Sequence, residues 1–202
     1  MVDIIEWVYR NNTYESIKVK VLKIISKFVI KKHFSLLEEF YPNENHFIRK
    51  EILISLGQMG VKNNMYVIRK LADISDINEA IGFMESAGLL KENIDEEIEQ
   101  IKLNHGENLD IMLEIVKYYY RLSNYDSGNN ILLKIFNSGD NEKIIKAINF
   151  FYNEYVPAEI FKEMISMLSS ESKKLVNTAY NFLQKRTDPA YFDFLVEYCN
   201  CL

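Results

Sequence analysis

Apolar residues return along this 202-residue chain at a constant interval. In the segment IRKEILISLGQMG, residues 48–60, they occupy positions i, i+1 and i+4, with a small residue at i+5. These four positions lie on one face of a helix. The pattern occurs six times, and its third position falls at Ile25, Leu56, Ala87, Tyr119, Phe151 and Phe182. Successive copies are therefore evenly spaced, about 31 residues apart, which indicates an internal repeat.

A second helical pattern lies between most of these copies. It is found at residues 34–40, 65–71, 91–102, 130–136, 158–168 and 190–198. Two helices in every ~31 residues predict an α-solenoid, in which each helix pair buries its apolar stripe against the next pair. We therefore expect an all-α fold, an α-α superhelix of about six two-helix repeats. The predicted domain covers residues 1–202, with a capping helix at 2–10 and repeats from 14 to 200.

Residues typical of helix ends support this division. Candidate N-caps, whose side chains would accept hydrogen bonds from the first helical turn, are Ser75, Asp140, Ser170 and Asp188. Pro157 and Pro189, separated by one repeat interval, are expected at the first helical position. Gly60 and Gly139 are expected where helices end.

The segment IRKEILISLGQMGVKNNMYVIRKLADIS, residues 48–75, resembles a HEAT repeat, and DPAYFDFLVEY, residues 188–198, is similar to the second half of another. The resemblance implies a solenoid whose long surface holds proteins, peptides or nucleic acid. Copies four to six depart from the family pattern, because aromatic residues replace its Leu-Gly pair. The tetratricopeptide family is the rival, since YYYRLSNYDSGNNILLKIF has some likeness to its pattern, but its period is nearer to ~34 residues.

Composition favours helices and limits the classes of function. The chain has 7 Gly and 3 Pro, too few for the turns of an all-β fold. Its net charge of −5 disfavours nucleic acid as a partner. The acidic N-terminus and the lack of a long apolar run predict a soluble cytoplasmic protein. Cys199 and Cys201 are expected to be reduced thiols; the last four residues match a prenylation box only formally, since its middle positions are not both aliphatic.

The chain shows no motif of a catalytic, cofactor or metal site. His33, His46 and His105 stand singly in the sequence, without the spacing of metal-ligating pairs. Glycine-rich phosphate loops and nucleophile motifs are also missing from the sequence. We therefore expect a non-enzymatic protein without catalytic residues, metal or cofactor.

Two groups of residues are candidates for partner binding. Lys20, Lys23, Lys27 and Lys31 have the spacing of one stripe along a predicted helix at 16–32, in a region where Glu15 is the only acid between residues 14 and 33. Such a stripe could meet phosphates, anionic lipid or an acidic protein segment, or could simply be a solvated face. Tyr118 and Phe150, at equivalent positions of successive repeats, are expected to turn outward and form a small exposed aromatic patch.

Three functions follow as hypotheses. The first is a non-enzymatic scaffold or adaptor that binds a protein partner along the solenoid surface, with end-to-end association through the C-terminal helix. The second is binding to a membrane surface or another anionic ligand through the lysine stripe. The third is a nucleic-acid enzyme, because the resemblance extends to DNA glycosylases with a HEAT-like fold. That reading is the weakest, since the chain is acidic and has a single tryptophan, Trp7.

Overall fold

The computed structural model describes residues 2–28, 31–61, 64–152, 156–185 and 196. Within these residues the chain forms twelve α-helices and no β-strand, which confirms the all-α class. It divides into two compact units, Met1–Ser123 and Asn124–Leu202.

The first unit contains eight helices. They are α1 (Val2–Arg10), α2 (Glu15–Ile25), α3 (Lys31–Phe40), α4 (His46–Gln58), α5 (Asn64–Leu71), α6 (Ile77–Leu90), α7 (Asp95–His105) and α8 (Leu109–Arg121). The second unit contains α9 (Tyr125–Phe136), α10 (Asn141–Phe150), α11 (Ala158–Ser166) and α12 (Lys173–Gln184). A 3₁₀ turn at Tyr41–Asn43 follows α3, and another at Met167–Ser169 follows α11.

Alternate helices of the first unit stack in the order in which they occur. Helix α2 packs on α4, α4 on α6 and α6 on α8, and each of these helices carries one copy of the repeated apolar pattern. The third position of the pattern is buried in all four, at Ile25, Leu56, Ala87 and Tyr119. The constant interval in the sequence therefore corresponds to helices that bury the same face against their neighbours.

Helices α4 and α6 approach each other closely through small residues. A Cβ atom added to Gly57 would lie 2.7 Å from the Cα of Ser86, and one added to Gly82 would lie 2.9 Å from the carbonyl oxygen of Lys50. Ser86 also donates a hydrogen bond to the carbonyl oxygen of Leu53 across the interface (2.7 Å). The two glycines are thus required for this packing, because the Cβ atom of any larger residue would clash with backbone atoms of the facing helix.

The second unit repeats the arrangement over a shorter stretch. Helix α10 packs on α12, and α9 contacts both α10 and α11. The third positions of the pattern, Phe151 and Phe182, are both fully buried. The ring of Tyr152 meets that of Phe182 edge-on, with their centroids 6.4 Å apart.

The helix N-caps follow the same interval as the apolar pattern. On every second helix, from α4 to α12, a side chain accepts hydrogen bonds from the first turn, at Asn45, Asp76, Asn108, Asp140 and Ser172; Asn124 caps α9 in the same way but is not part of this series. Asp140 is confirmed as a cap. The assignments of Ser75 and Ser170 were wrong by one and two positions. The Ser75 hydroxyl donates to the carboxylate of Asp73 (2.6 Å), and the Ser170 hydroxyl accepts from the backbone N–H of Ser172 (3.2 Å).

The glycines and prolines predicted at helix ends are partly confirmed. Gly60 and Gly139 have φ angles of 60° and 73°, a left-handed conformation that glycine adopts without strain after a helix. Pro157 was expected to be the first residue of a helix. It is instead the N-cap of α11, which begins one position later. Several predictions concern residues that the structure does not describe. They are those for Asp188, Pro189, Cys199, Cys201 and, apart from Val196, the C-terminal helix at 190–198. The association through that helix and the single domain stay predictions.

None of the described helices has both the length and the apolar character needed to cross a lipid bilayer.

Candidate functional site

The predicted lysine stripe does not lie on one helix. Helix α2 ends at Ile25, and Lys27 and Phe28 continue only as a tight turn, with their N–H groups bonded three residues back. The Ser26 hydroxyl donates to the carbonyl oxygen of Lys23 (3.2 Å), a local bond that competes with helix continuation. Lys31 begins α3, so its expected alignment with the other lysines along one continuous helix is wrong; its side chain lies outside the described residues.

The other three lysines of the stripe are exposed on α2 and the turn that follows. No carboxylate of the described residues lies within ion-pair distance of Lys20, Lys23 or Lys27. Lys18, on the same helix, differs, because its ammonium group lies 2.6 Å from the carboxylate of Glu44. The three exposed lysines therefore keep their positive charge available to another molecule.

Two large apolar side chains are exposed next to these lysines in the sequence. Ile24 is 45% exposed and Phe28 is 41% exposed. Lys20, Lys23 and Ile24 lie at positions i, i+3 and i+4 of α2 and therefore on one side of that helix, and Lys27 and Phe28 follow in the turn after it. We call Lys20, Lys23, Ile24, Lys27 and Phe28 the α2 surface. Sequence reasoning missed its apolar members, although their i+4 and i+8 spacing from Lys20 was a usable signal.

The α2 surface stands on a helix that packing holds in place. Val21, Leu22 and Ile25 are buried on its opposite face, and α2 contacts both α1 and α4. Next to the helix start, the Asn45 amide donates to the carboxylate of Glu15 (2.6 Å). The backbones of Lys20 and Lys23 are therefore held in place before any partner arrives, which lowers the entropy cost of binding.

The predicted exposed aromatic patch is wrong for Tyr118. Its side chain is buried, and its hydroxyl accepts a hydrogen bond from the backbone N–H of Ile94 (3.0 Å) and donates one to the carbonyl oxygen of Glu92 (3.1 Å). Burial raises the pKa of Tyr118 above its ordinary value. Phe150 is half-buried, with its ring edge-on to that of Phe151 (centroids 5.0 Å apart). Tyr118 therefore holds the segment between α6 and α7 in place through these two hydrogen bonds.

Helix α8 also carries a buried carboxylate that the sequence did not single out. Burial raises the pKa of Glu114 to about 7, although the ammonium group of Lys117, 3.4 Å away, opposes the shift. Lys117 lies equally close to Glu85, whose carboxylate also meets Arg121 (3.3 Å). These charges are shared among side chains of α6 and α8, unlike those of the α2 surface.

The three histidines have different surroundings. The Nδ1 of His33, which is fully buried, lies 3.2 Å from the carbonyl oxygen of Phe28. The half-buried His105 places its Nε2 3.0 Å from the carbonyl oxygen of Ile74. His46 is half-exposed and lies beside the carboxylates of Asp76 and Glu79, which are about one repeat away from it in the sequence.

The chain was compared with models of known protein families, with curated proteins and with solved structures, and none of these comparisons found a match.

Proposed function

We propose that this protein is a non-enzymatic interaction module of the HEAT-like helical-repeat type that binds an acidic segment of a partner protein on the α2 surface. The observation that carries the proposal is the set of three exposed lysines that have no carboxylate partner among the residues the structure describes, with Ile24 and Phe28 exposed next to them. The chain has a net charge of −5, yet residues 16–33 contain no acid. A cationic surface on an acidic protein selects partners by the sign of their charge.

The mixture of charged and apolar groups suits an amphipathic acidic segment. Each exposed ion pair contributes only about 0.2–1 kcal/mol, so the lysines alone would orient a partner more than they would hold it. Burial of the exposed part of Ile24 and Phe28 adds an apolar contribution of roughly 25 cal/mol per Å². Aromatic and aliphatic anchors within a ring of charges are typical of protein interfaces.

A direct binding assay with matched charge variants tests the proposal. The probe is a labelled amphipathic peptide of Glu and Leu, and its affinity is measured by fluorescence anisotropy. The test variant carries Lys20→Glu, Lys23→Glu and Lys27→Glu. The control variant carries the same change of net charge on exposed lysines of other helices, as Lys70→Glu, Lys134→Glu and Lys173→Glu.

We expect the test variant to lose at least about tenfold in affinity, since ~1.4 kcal/mol is one factor of ten and three ion pairs become repulsive contacts. The control variant should retain most of its binding. Ile24→Ser with Phe28→Ser should weaken binding without changing its salt dependence. Equal losses in the two triple variants would show that only net charge matters, and the proposal would then be wrong.

An anionic membrane surface is the second candidate, and one specific observation favours it. Ile4 and Trp7 are 67% and 64% exposed and lie at i and i+3 on α1. Tryptophan and exposed apolar side chains near lysines are typical of proteins that lie on a bilayer. Vesicles with and without phosphatidylserine distinguish the candidates, because insertion of Trp7 would shift its fluorescence to shorter wavelength. Binding of the acidic peptide without binding to these vesicles supports a protein partner.

A further inference from the structure

Three side chains from successive repeats converge where α4 and α6 begin. His46 is the first residue of α4, Asp76 is the N-cap of α6, and Glu79 lies in the first turn of α6. The Nδ1 of His46 lies 2.7 Å from Oε1 of Glu79 and 3.6 Å from Oδ2 of Asp76. One ligand atom from each residue can be chosen so that all three lie within 4.8 Å of one another. We call these residues the His46 cluster; it shares no residue with the α2 surface.

The second oxygen of each carboxylate is already held by the protein. Asp76 Oδ1 accepts hydrogen bonds from two backbone N–H groups in the first turn of α6 (2.9 and 3.1 Å). Glu79 Oε2 accepts from the backbone N–H of Asp73 (2.9 Å) and from the Tyr41 hydroxyl. These bonds orient the remaining oxygens, Oδ2 and Oε1, towards the imidazole of His46. Metal ligands are commonly fixed in this way by their outer partners.

Glu79 stands at a position that holds a buried isoleucine in each of the two neighbouring repeats. Three residues after the N-cap, the neighbouring repeats have Ile48 and Ile111, both buried. Glu79 is also fully buried. A buried carboxylate is costly unless it is well paired, so packing alone would favour isoleucine here. Here the carboxylate is paired with His46 and Arg49 of α4, with the Tyr41 hydroxyl and with the N–H of Asp73, so a fixed anionic group stands where the neighbouring repeats pack isoleucine.

We propose that the His46 cluster binds a divalent transition-metal ion of the Zn²⁺ type, with His46 Nδ1, Asp76 Oδ2 and Glu79 Oε1 as its three protein ligands. One imidazole nitrogen with two carboxylate oxygens suits Zn²⁺ and Co²⁺. Ca²⁺ requires six to eight oxygens, and Mg²⁺ keeps most of its waters, so both should bind poorly. His46 is half-exposed and gives the ion a route from solvent.

The charge balance of the site also favours an ion that bonds to nitrogen. The guanidinium of Arg49 lies 3.4 Å from Glu79 Oε1 and is held by the carbonyl oxygens of Tyr41 and Pro42 (3.1 Å each). With a neutral imidazole, one net negative charge is left among Arg49, Asp76 and Glu79. Weak net charge gives little attraction for a hard cation, so the covalent character of the bond to His46 would decide the affinity.

A cobalt titration of the 202-residue chain tests the proposal. Cys199→Ser and Cys201→Ser form the background, because thiolates bind the same ions. Visible absorption reports Co²⁺ bound to the protein, and Zn²⁺ is then added in competition. Asp76→Asn removes a charged ligand but keeps an N-cap, since Asn45 caps the equivalent position of α4. His46→Gln removes the imidazole.

In the background chain we expect Co²⁺ absorption that Zn²⁺ removes, and that an excess of Mg²⁺ or Ca²⁺ does not. Both His46→Gln and Asp76→Asn should weaken Co²⁺ binding at least about tenfold, with helix content unchanged by circular dichroism. Two results would overturn the proposal. One is the lack of any Co²⁺ absorption in the background chain, and the other is equal Co²⁺ affinity in the background chain and in a folded His46→Gln variant.

Discussion

Replacement of Gly82 by alanine tests whether α4 and α6 must approach as closely as the structure places them. The new Cβ would lie 2.9 Å from the carbonyl oxygen and 3.0 Å from the Cα of Lys50. Both are backbone atoms of α4, so the clash cannot be relieved by a rotamer change. The two helices would have to separate.

The magnitude is a difference between two effects. In a helix interior, alanine is favoured over glycine by about 0.8–1.0 kcal/mol. Overpacking of a close interface costs about 1–3 kcal/mol. We therefore expect Gly82→Ala to lower the free energy of unfolding by up to about 2 kcal/mol, which is a fall of up to ~8 °C in Tm for a chain of this size, and to be about 1–3 kcal/mol less stable than an alanine substitution without the clash.

Gly88→Ala on the same helix is the matched control. Its nearest contact would be the Cδ of Arg121 at 3.0 Å, part of a flexible side chain that can move aside. This variant should be as stable as the wild type, or more stable by up to ~1 kcal/mol from helix propensity. Thermal and urea unfolding followed by circular dichroism provide the comparison. The reasoning is refuted if Gly82→Ala is as stable as Gly88→Ala.

Three further substitutions have defined outcomes. Tyr118→Phe should lower the free energy of unfolding, measured in urea, by about 1–3 kcal/mol, because the buried N–H of Ile94 loses its acceptor. Tyr66→Phe is the control and should leave the free energy of unfolding unchanged, because the Tyr66 ring is exposed. Asp140→Ala should cost about 1 kcal/mol through loss of the α10 cap, and an unchanged midpoint would contradict that assignment. The pKa of Glu114 is raised to about 7, so its favourable contribution is present below the unfolded pKa and is lost as pH rises towards and through 7. The free energy of unfolding should therefore decrease less between about pH 5 and 8 in Glu114→Gln than in the wild type. The same pH dependence in both proteins would show that the carboxyl group of Glu114 is not buried with a raised pKa.

The fold class and the repeat interval could be predicted because both depend on local periodicity. Ile25 and Leu56 are buried for the same reason that they recur, since each lies on the apolar face of a helix. The orientation of Tyr118 could not be predicted in this way. Helix α8 buries Leu113, Ile115, Val116 and Tyr118, so it is covered on more than one side, and an amphipathic pattern does not describe its outward face.

The candidate sites depend on side-chain bonds and on contacts between repeats, which the pattern of apolar residues along the sequence does not show. The apolar residues after Ile25 suggested that the lysine helix continued, but a side-chain bond of Ser26 accompanies its end, and Lys31 begins another helix. His46 and Glu79 belong to successive repeats, and only the stacking of one repeat on the next brings them together. The interval itself was a usable signal for that pair, because residues one repeat apart become neighbours.

Mapping of the binding site by NMR tests the central claim most directly. Amide ¹H–¹⁵N chemical shifts of the 202-residue chain are followed while the unlabelled Glu-Leu peptide is added at low salt. The account predicts that the largest shifts occur at Lys20, Lys23, Ile24, Lys27 and Phe28, and that they diminish as salt screens the lysines. Shifts that are absent, or that are largest between residues 124 and 185, would contradict it.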